Sequence, residues 1–243
     1  MTPLFLDNHL LVVDKPAGTL VQGDRTGDPD LVTWAQDYLK ERFDKPGNVF
    51  VGLVHRLDRP TSGVVVLART SKAAGRLSDQ FRRRAVDKRY LAVLDGVLAP
   101  TGEAVDGVVK QDGGSVRVVA ADHPGAQSAA LRWRTVASDG RQSLVEVELE
   151  TGRKHQIRAQ LAARGAPVAG DFRYGDAGRP WADGRGIALH AWRLTVEHPT
   201  RREPVTFAAP PPPAWAGHFD DAVAHLVGPA SGPPTGGPGE APA

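Results

Sequence analysis

The chain has no cysteine and no run of eighteen apolar residues. Without cysteine it can form neither a disulfide framework nor a thiolate metal site, and this composition suits a reducing compartment. Without a long apolar run, a membrane-spanning helix is not expected. The opening stretch, MTPLFLDNHLLVV, lacks the basic start and the small-residue cleavage site of a secretory signal. We therefore expect a cytoplasmic protein with no membrane partner.

Charge is nearly balanced over the whole chain but unevenly placed along it. The net charge of the 243 residues is +2, and from residue 214 onward there are three acids and no lysine or arginine. The preceding part is therefore more basic than the total indicates, which is a mild sign of a polyanionic partner. The stretch after Gly228, PASGPPTGGPGEAPA, has too few apolar residues to fold. We predict one folded domain over residues 1–228 and a disordered tail over 229–243.

Hydrophobic periodicity predicts a mixed α/β domain without internal repeats. Asp30 is expected to cap the first helix, and Gly165 is expected to end the third. Predicted helices cover 30–43, 71–86, 155–165 and a short piece near 215–227. Predicted strands cover 9–13, 50–57, 62–68, 88–98, 128–136, 143–150, 187–196 and 204–210, with hairpins inside 101–125.

One polar stretch, HRLDRPTSG at 55–63, lies between two apolar runs. Asp58 stands between Arg56 and Arg59, and its position after an apolar segment predicts partial burial, so it needs a cationic partner to stay ionised. Pro60 and Gly63 restrict the backbone and so fix where the carboxylate points. A fixed, ionised carboxylate can act as a nucleophile, a base or an electrostatic stabiliser. The alternative is an ion-pair loop at a strand end.

Two further polar stretches, ETGRKHQIR at 150–158 and GDFRYG at 170–175, also adjoin core-like segments. The first places Arg153, His155 and Arg158 at a strand-to-helix junction, where the alternative is an exposed helix with solvated basic groups. Its histidine has no metal-ligand spacing to another histidine, so no metal site is predicted. The segment QFRRRAVDKRY at 80–90 is either an RNA-backbone contact or a solvated surface. Its basic residues are Arg82, Arg83, Arg84, Lys88 and Arg89.

Six stretches, taken in order, resemble the RluA family of RNA pseudouridine synthases over roughly residues 5–210. They are LLVVDKPAG (10–18), HRLDRPTSG (55–63), KRYLAV (88–93), ETGRKHQIR (150–158), GDFRYG (170–175) and LHAWRL (189–194) followed by HP. The resemblance implies an α+β pseudouridine synthase fold, with a mixed, mostly antiparallel sheet and a central cleft flanked by helices and loops. It implies no cofactor. Many relatives carry a small RNA-binding S4 domain before the catalytic one, and we expect this chain to lack it.

The resemblance also implies roles for individual residues. Asp58 matches the catalytic aspartate, Tyr90 the tyrosine that lies against the target uracil, and Arg158 the arginine that pairs with the aspartate. Arg56 matches a position that can fill the gap left by a flipped nucleotide, whereas we expect Arg59 to serve structure. The predicted RNA-binding residues are Arg56, Arg82, Arg83, Arg84, Lys88, Arg89, Arg153 and His155.

The implied reaction converts a uridine in RNA to pseudouridine. The residues are compatible with three roles for Asp58: it attacks C1′, it attacks C6, or it removes the C2′ proton. Tyr90 could help take the C5 proton. The expected partner is a tRNA or rRNA stem-loop, with tRNA slightly favoured, bound by a monomer. One alternative is a non-catalytic RNA-binding or ribosome-assembly protein on the same fold. Another is a nucleoside hydrolase, although the sequence shows no second catalytic acid.

Overall fold

The computed structural model describes residues 1–181, 184 and 186–227, and the predicted tail over 229–243 lies outside them. The chain forms an α+β fold, as predicted. The strands are β1 Thr2–Leu6, β2 Leu10–Lys15, β3 Gly52–Leu53, β4 Ser62–Ala68, β5 Asp87–Asp95, β6 Thr101–Lys110, β7 Val116–Val119, β8 Gln127–Ser138, β9 Gln142–Leu149, β10 Leu189–Glu197 and β11 Pro204–Ala208. The helices are α1 Leu31–Arg42, α2 Ser71–Arg83, α3 Gln156–Ala162 and α4 Asp220–Val227, with 3-10 turns at Asp112–Gly114 and Pro213–Trp215.

All eleven strands belong to one mixed sheet. Its order is β1-β2-β4-β10-β5-β9-β8-β6-β7, with β3 paired to β4 and β11 paired to β10. The pair β4–β10 is parallel, and the other named pairs are antiparallel. The chain therefore forms the mostly antiparallel sheet that the family resemblance implied.

Helix starts follow the capping residues. Asp30 accepts hydrogen bonds from the N–H groups of Val32 and Thr33 at the start of α1, as predicted. Thr70 does the same for Ala73 at the start of α2. Helix α2 ends at Arg83, three residues earlier than predicted, because Arg84 takes a left-handed conformation with φ 59°.

The strand predicted over 50–57 is largely wrong. Only Gly52 and Leu53 pair in the sheet, and residues 54–58 have no regular structure. His55 is one reason, because its Nε2 accepts the N–H of Val66 (2.9 Å) and so ties the segment to β4 through a side chain. Strand β1 was not predicted. It is an edge strand, the position in a sheet where proline is tolerated.

The two faces of the sheet are covered by different helices. Leu77 of α2 packs with Val64 and Val66 of β4 on one face, while Leu39 of α1 packs with Val65 and Leu67 on the other. Such burial of both faces explains why β4 reads as a continuous apolar run. No helix within 1–181 or 186–227 is long and apolar enough to cross a membrane.

Gly63 allows the parallel strands to meet beside the polar stretch. Its φ is +118°, and a Cβ built there would lie 2.3 Å from the Ala191 carbonyl oxygen of β10. Residues 62 and 63 pair with residues 190 and 191 in this register. The glycine therefore lets β4 approach β10 directly after the loop that carries Asp58.

Candidate active site

A cleft of about 560 Å³ opens over the central strands. Its walls come from the segment before β4, the end of α2, strand β5 and the junction between β9 and α3. The lining includes nine of the predicted site residues, namely Arg56, Asp58, Arg82, Arg84, Lys88, Tyr90, Arg153, His155 and Arg158. The fold thus brings together residues as far apart in the sequence as Arg56 and Arg158.

Asp58 lies at the wall of this cleft with its side chain 22% exposed. Arg158 Nη1 donates to Asp58 Oδ2 at 3.2 Å, and His155 Nε2 is 3.8 Å from the same oxygen. A β-turn closed by the Thr61 N–H to the Asp58 carbonyl (3.1 Å) fixes the local backbone. The predicted pairing of Asp58 with Arg158 is thus present in the structure.

Arg158 is held from its other side by Asp171. Its Nε and Nη2 donate to the two Asp171 oxygens at 2.6 and 2.8 Å, and both residues are buried. Burial alone would lower the pKa of Arg158, but the hydrogen bonds and charge of Asp171, with those of Asp58, raise it above its usual value. The guanidinium is therefore charged and fixed in direction. The alternative of an exposed helix with solvated basic groups is wrong at this position.

Tyr90, on β5, is half-buried in the floor of the cleft. Burial, helped by the negative charge of Asp58, raises its pKa well above the usual range. A hydroxyl that stays protonated can donate a hydrogen bond, but it is poorly suited to removing a proton. This favours the stacking role that the resemblance implied over the role of C5 base.

The sequence did not point to Lys15, which is fully buried at the end of β2. Its Nζ donates to the carbonyl oxygens of Pro16, Thr19 and Arg59 at 3.0, 2.9 and 3.3 Å. Burial lowers the pKa of Lys15 to about 7, opposed by the charges of Asp58 and Asp14. The lysine therefore fastens the DKPAG turn to the loop that carries Asp58.

The basic residues predicted to bind RNA divide into two groups. Arg82, Arg84 and Lys88 line the cleft, and burial with nearby positive charge lowers the pKa of Lys88 to about 8. Arg83 and Arg89 do not line it. Arg83 pairs with Asp79 at 2.6 Å, and Arg89 pairs with acids on β5 and β9 at 2.8 and 3.0 Å. Period-2 alternation along β5 directs residues 88 and 90 to one face and residue 89 to the other.

The arginines on either side of Asp58 differ in their contacts. Arg59 donates to Asp28 at 2.6 Å and to the Gly18 carbonyl at 3.0 Å, away from the cleft. Arg56 is exposed and lines the cleft. Arg59 thus makes structural contacts, and the RNA-facing role of Arg56 stays a prediction.

The GDFRYG stretch, to which the sequence assigned no role, lies behind the site. Asp171 holds Arg158, and the Tyr174 hydroxyl is 2.9 Å from His155 Nδ1. Gly170 has φ +78°, and a Cβ there would lie 2.3 Å from the Trp181 Cβ, so the turn requires glycine. In the sequence, GDFRYG was marked by polar residues beside a core-like segment and by its place among the six stretches of the resemblance. Among the described residues, no three His, Asp or Glu side chains are grouped as a metal site requires.

Known proteins share both the sequence pattern and the fold. Residues 9–163 match the family described as RNA pseudouridylate synthase. The uncharacterized RNA pseudouridine synthase YhcT of Bacillus subtilis is 33% identical over 86% of this chain and 68% of its own length. The ribosomal large subunit pseudouridine synthase D of Xanthomonas campestris is 36% identical over 86% of this chain and 65% of its own length. The chain thus spans about two thirds of the length of these relatives.

A solved structure of a related protein has a similar fold. The solved structure of human RNA pseudouridylate synthase domain containing 4 superposes with a TM-score of 0.72, is 25% identical, and covers 93% of this chain and 92% of its own. Residues 9–163, which match the family, contain Asp58, Tyr90 and Arg158. The chain therefore belongs to the family of RNA pseudouridylate synthases, the isomerases that convert uridine in RNA to pseudouridine.

Proposed function

We propose that this chain isomerises uridine in large-subunit ribosomal RNA, with Asp58 as the catalytic carboxylate and Tyr90 and Arg158 as its partners in the site. The observation that carries the proposal is the contact of 3.2 Å between Arg158 and Asp58 in the wall of the basic cleft. A protein that only binds RNA has no need of an acid in such a cleft. The same three residues count against the non-catalytic alternative.

The chemistry requires a carboxylate beside the ribose. The bond from C1′ to N1 breaks, the uracil turns, and a bond from C1′ to C5 forms, while C5 loses its proton and N1 gains one. Cleavage of a glycosidic bond builds positive charge at C1′, which a nearby carboxylate stabilises or bonds. Asp58 meets this need because its carboxylate lies in the cleft wall, 3.2 Å from the fixed cation of Arg158.

The base must leave the RNA stack to reach Asp58, at a cost of a few kcal/mol. Tyr90 offers an aromatic face to the flipped uracil in the cleft floor. Phosphate contacts from Arg82, Arg84, Lys88 and Arg153 at the cleft walls offset the cost of flipping. Arg56, exposed at the cleft, is placed to enter the gap that the nucleotide leaves.

Curated relatives favour ribosomal RNA over tRNA as the substrate. Relatives from Xanthomonas campestris, Nitrosomonas europaea and Vibrio vulnificus are named ribosomal large subunit pseudouridine synthases. A single chain brings Asp58, Tyr90 and Arg158 together, so we further propose that a monomer acts on cytoplasmic RNA. If the substrate is tRNA, the choice of ribosomal RNA is wrong.

The test is tritium release from RNA labelled at C5 of uridine, because the isomerisation frees that hydrogen. Large-subunit rRNA and tRNA, each from cells that lack the gene, are offered separately. We expect release from rRNA by the wild type and at least about a thousandfold less by Asp58→Asn, since the amide has no charge to stabilise C1′.

Three results would contradict the proposal. Equal release by wild type and Asp58→Asn would remove Asp58 from the chemistry. RNA binding without release from either RNA would support a non-catalytic binder. Release from tRNA alone would overturn the choice of rRNA while leaving the reaction intact.

A further inference from the structure

Tyr174 contacts both His155 and Arg158, the two residues that approach the Asp58 carboxylate. Its hydroxyl accepts the Val116 N–H at 2.9 Å and lies 2.9 Å from His155 Nδ1. The rings of Tyr174 and His155 meet edge to face at 5.6 Å. The Arg158 guanidinium stands 5.3 Å from the centre of the same tyrosine ring. Tyr174 thus forms a common support for His155 and Arg158.

The partners of its two ring nitrogens favour one position for the proton of His155. A backbone N–H can only donate, so the Tyr174 oxygen accepts from Val116 and its own hydrogen remains available for His155 Nδ1. With Nδ1 accepting, the single proton of the neutral ring sits on Nε2, which faces Asp58 Oδ2 at 3.8 Å. The opposite tautomer would direct a lone pair of Nε2 at a carboxylate.

The ring is neutral near pH 7. Burial lowers the pKa of His155 to about 4, the charge of Asp58 opposes this shift, and Arg158, Lys154 and Arg173 add to it. Tyr174, the other titratable group that faces the ring, has a pKa raised by burial and so keeps its proton. His155 therefore presents the dipole of its Nε2–H bond to Asp58 and does not neutralise the charge of the carboxylate.

We propose that Tyr174 and His155 are positioning residues for Asp58, in which the Val116 N–H and the Tyr174 hydroxyl hold the His155 proton on Nε2 and direct it at Asp58 Oδ2. This inference rests on the proposed role of Asp58. The separation of 3.8 Å is too long for a direct hydrogen bond, so the interaction is a dipole directed at the carboxylate through space.

The geometry then distinguishes the two oxygens of Asp58. Within the described residues, the polar contacts of its carboxyl group are made by Oδ2, to Arg158 and His155. With Oδ2 occupied, Oδ1 is the oxygen presented to the ribose and base. His155 and Arg158 together thus set which oxygen meets the substrate.

Nitrogen NMR of the full chain tests the tautomer directly, with the His155 signals assigned from a His155→Gln spectrum. We expect an unprotonated Nδ1 that accepts a hydrogen bond and a protonated Nε2 at pH 7. In Tyr174→Phe, which keeps the ring beside Arg158 but removes the hydroxyl, the Nδ1 signal should move toward that of a nitrogen without a donor. Tyr38→Phe, a matched change in a ring stacked on Trp34, should leave it in place.

Kinetics test the positioning role. His155→Leu and Tyr174→Phe should each lower kcat about three- to tenfold, as expected for the loss of one modest polar interaction, with KM for rRNA unchanged within about twofold. His155→Gln places an amide N–H near the position of Nε2 and should recover most of that loss. Leu and Gln face the same left-handed backbone at this position, φ 53°, so their difference isolates the N–H group.

The outcomes separate this inference from the proposed function. A wild type that is inactive on RNA yet shows the expected tautomer would overturn the proposed function and support the hydrogen-bond chain. An active wild type with its proton on Nδ1 would overturn the chain. So would an unmoved Nδ1 signal in Tyr174→Phe, or equal kcat values for the Leu and Gln variants.

Discussion

Arg158 lies between two carboxylates that hold it in different ways. Asp171 is fully buried and binds it through two hydrogen bonds, while Asp58 is partly exposed and accepts one. A buried pair with both hydrogen bonds made fixes the guanidinium before substrate arrives. Asp58 can then meet a ready cation, and its second oxygen stays available for the reaction. Asp58, which lies between two arginines in the sequence HRLDR, is thus paired with a third arginine, Arg158 of α3.

We expect Asp171→Asn to destabilise the fold by about 3–5 kcal/mol, because removing one partner of a buried pair leaves the Arg158 charge uncompensated. Urea unfolding followed by circular dichroism measures the change in the free energy of unfolding. The remaining folded protein should also turn over more slowly, since Arg158 loses its direction toward Asp58.

Asp79→Asn is the matched control for that loss. Asp79 pairs with Arg82 and Arg83 on the exposed face of α2, where solvent screens the interaction. It should leave the urea midpoint almost unchanged. An Asp171→Asn protein as stable as the Asp79→Asn protein would show that the buried pair does not hold the site.

At the scale of elements, the site depends on where strands end and helices begin. Asp58 precedes β4 by a turn, Tyr90 lies on β5, and Arg158 lies in the first turn of α3, which follows β9. Strand β10 separates β4 from β5 in the sheet, so the β4–β10 register fixes the distance between Asp58 and Tyr90. Gly63 makes that register possible by letting the two backbones approach.

We therefore expect Gly63→Ala to destabilise the protein strongly. The added Cβ meets the Ala191 carbonyl at 2.3 Å, and relief requires movement of β10. The control is Gly140→Ala in the β8–β9 turn, where φ is +87° and nothing lies within 4 Å of the new Cβ. The control should lose about 1 kcal/mol from its backbone conformation, and Gly63→Ala about 1–3 kcal/mol more from the clash.

Urea unfolding of both glycine variants gives the comparison, with the soluble yield as a second measure where Gly63→Ala fails to fold. Equal losses in the two proteins would mean that backbone conformation alone matters at residue 63. The close approach of β4 and β10 would then not set the register at the site.

Local signals predicted most elements but failed where tertiary contacts decide. The cap at Asp30 and the alternation in β8 and β9 are local, and those elements formed close to their predicted bounds. The segment 54–57 has the composition of a strand, yet the bond from Val66 to the His55 ring holds it outside the sheet. Such a bond between distant residues leaves no periodic trace in the sequence.

At the scale of the whole molecule, Asp58, Tyr90 and Arg158 were predicted from motifs with a known resemblance, whereas Arg82 and Arg84 were predicted from the basic run, and all five line the cleft. Lys15 and Asp171 also lie in quoted motifs, but their roles depend on burial and on partners from distant segments. Arg83 and Arg89 were predicted to bind RNA because they stand in a basic run. The structure separates them from Arg84 and Lys88 by orientation alone, which charge counting cannot show.

The neighbours Arg83 and Arg84 offer a sharp test of the RNA-binding surface. Arg84 lines the cleft, whereas Arg83 is paired with Asp79 outside it. Each phosphate contact adds close to one unit to the slope of log affinity against log salt concentration. We expect Arg84→Gln to reduce that slope by about 1 and Arg83→Gln to leave it unchanged.

Fluorescence anisotropy with an RNA stem-loop that carries uridines in its loop, at several salt concentrations, gives both slopes. The two variants change the net charge equally, so a difference between them reflects position and not overall charge. Equal reductions would mean that RNA responds to the general field of the protein. A reduced slope in Arg83→Gln alone would place the RNA on the outer face of α2, away from Asp58. The basic run would then not bind RNA at the cleft.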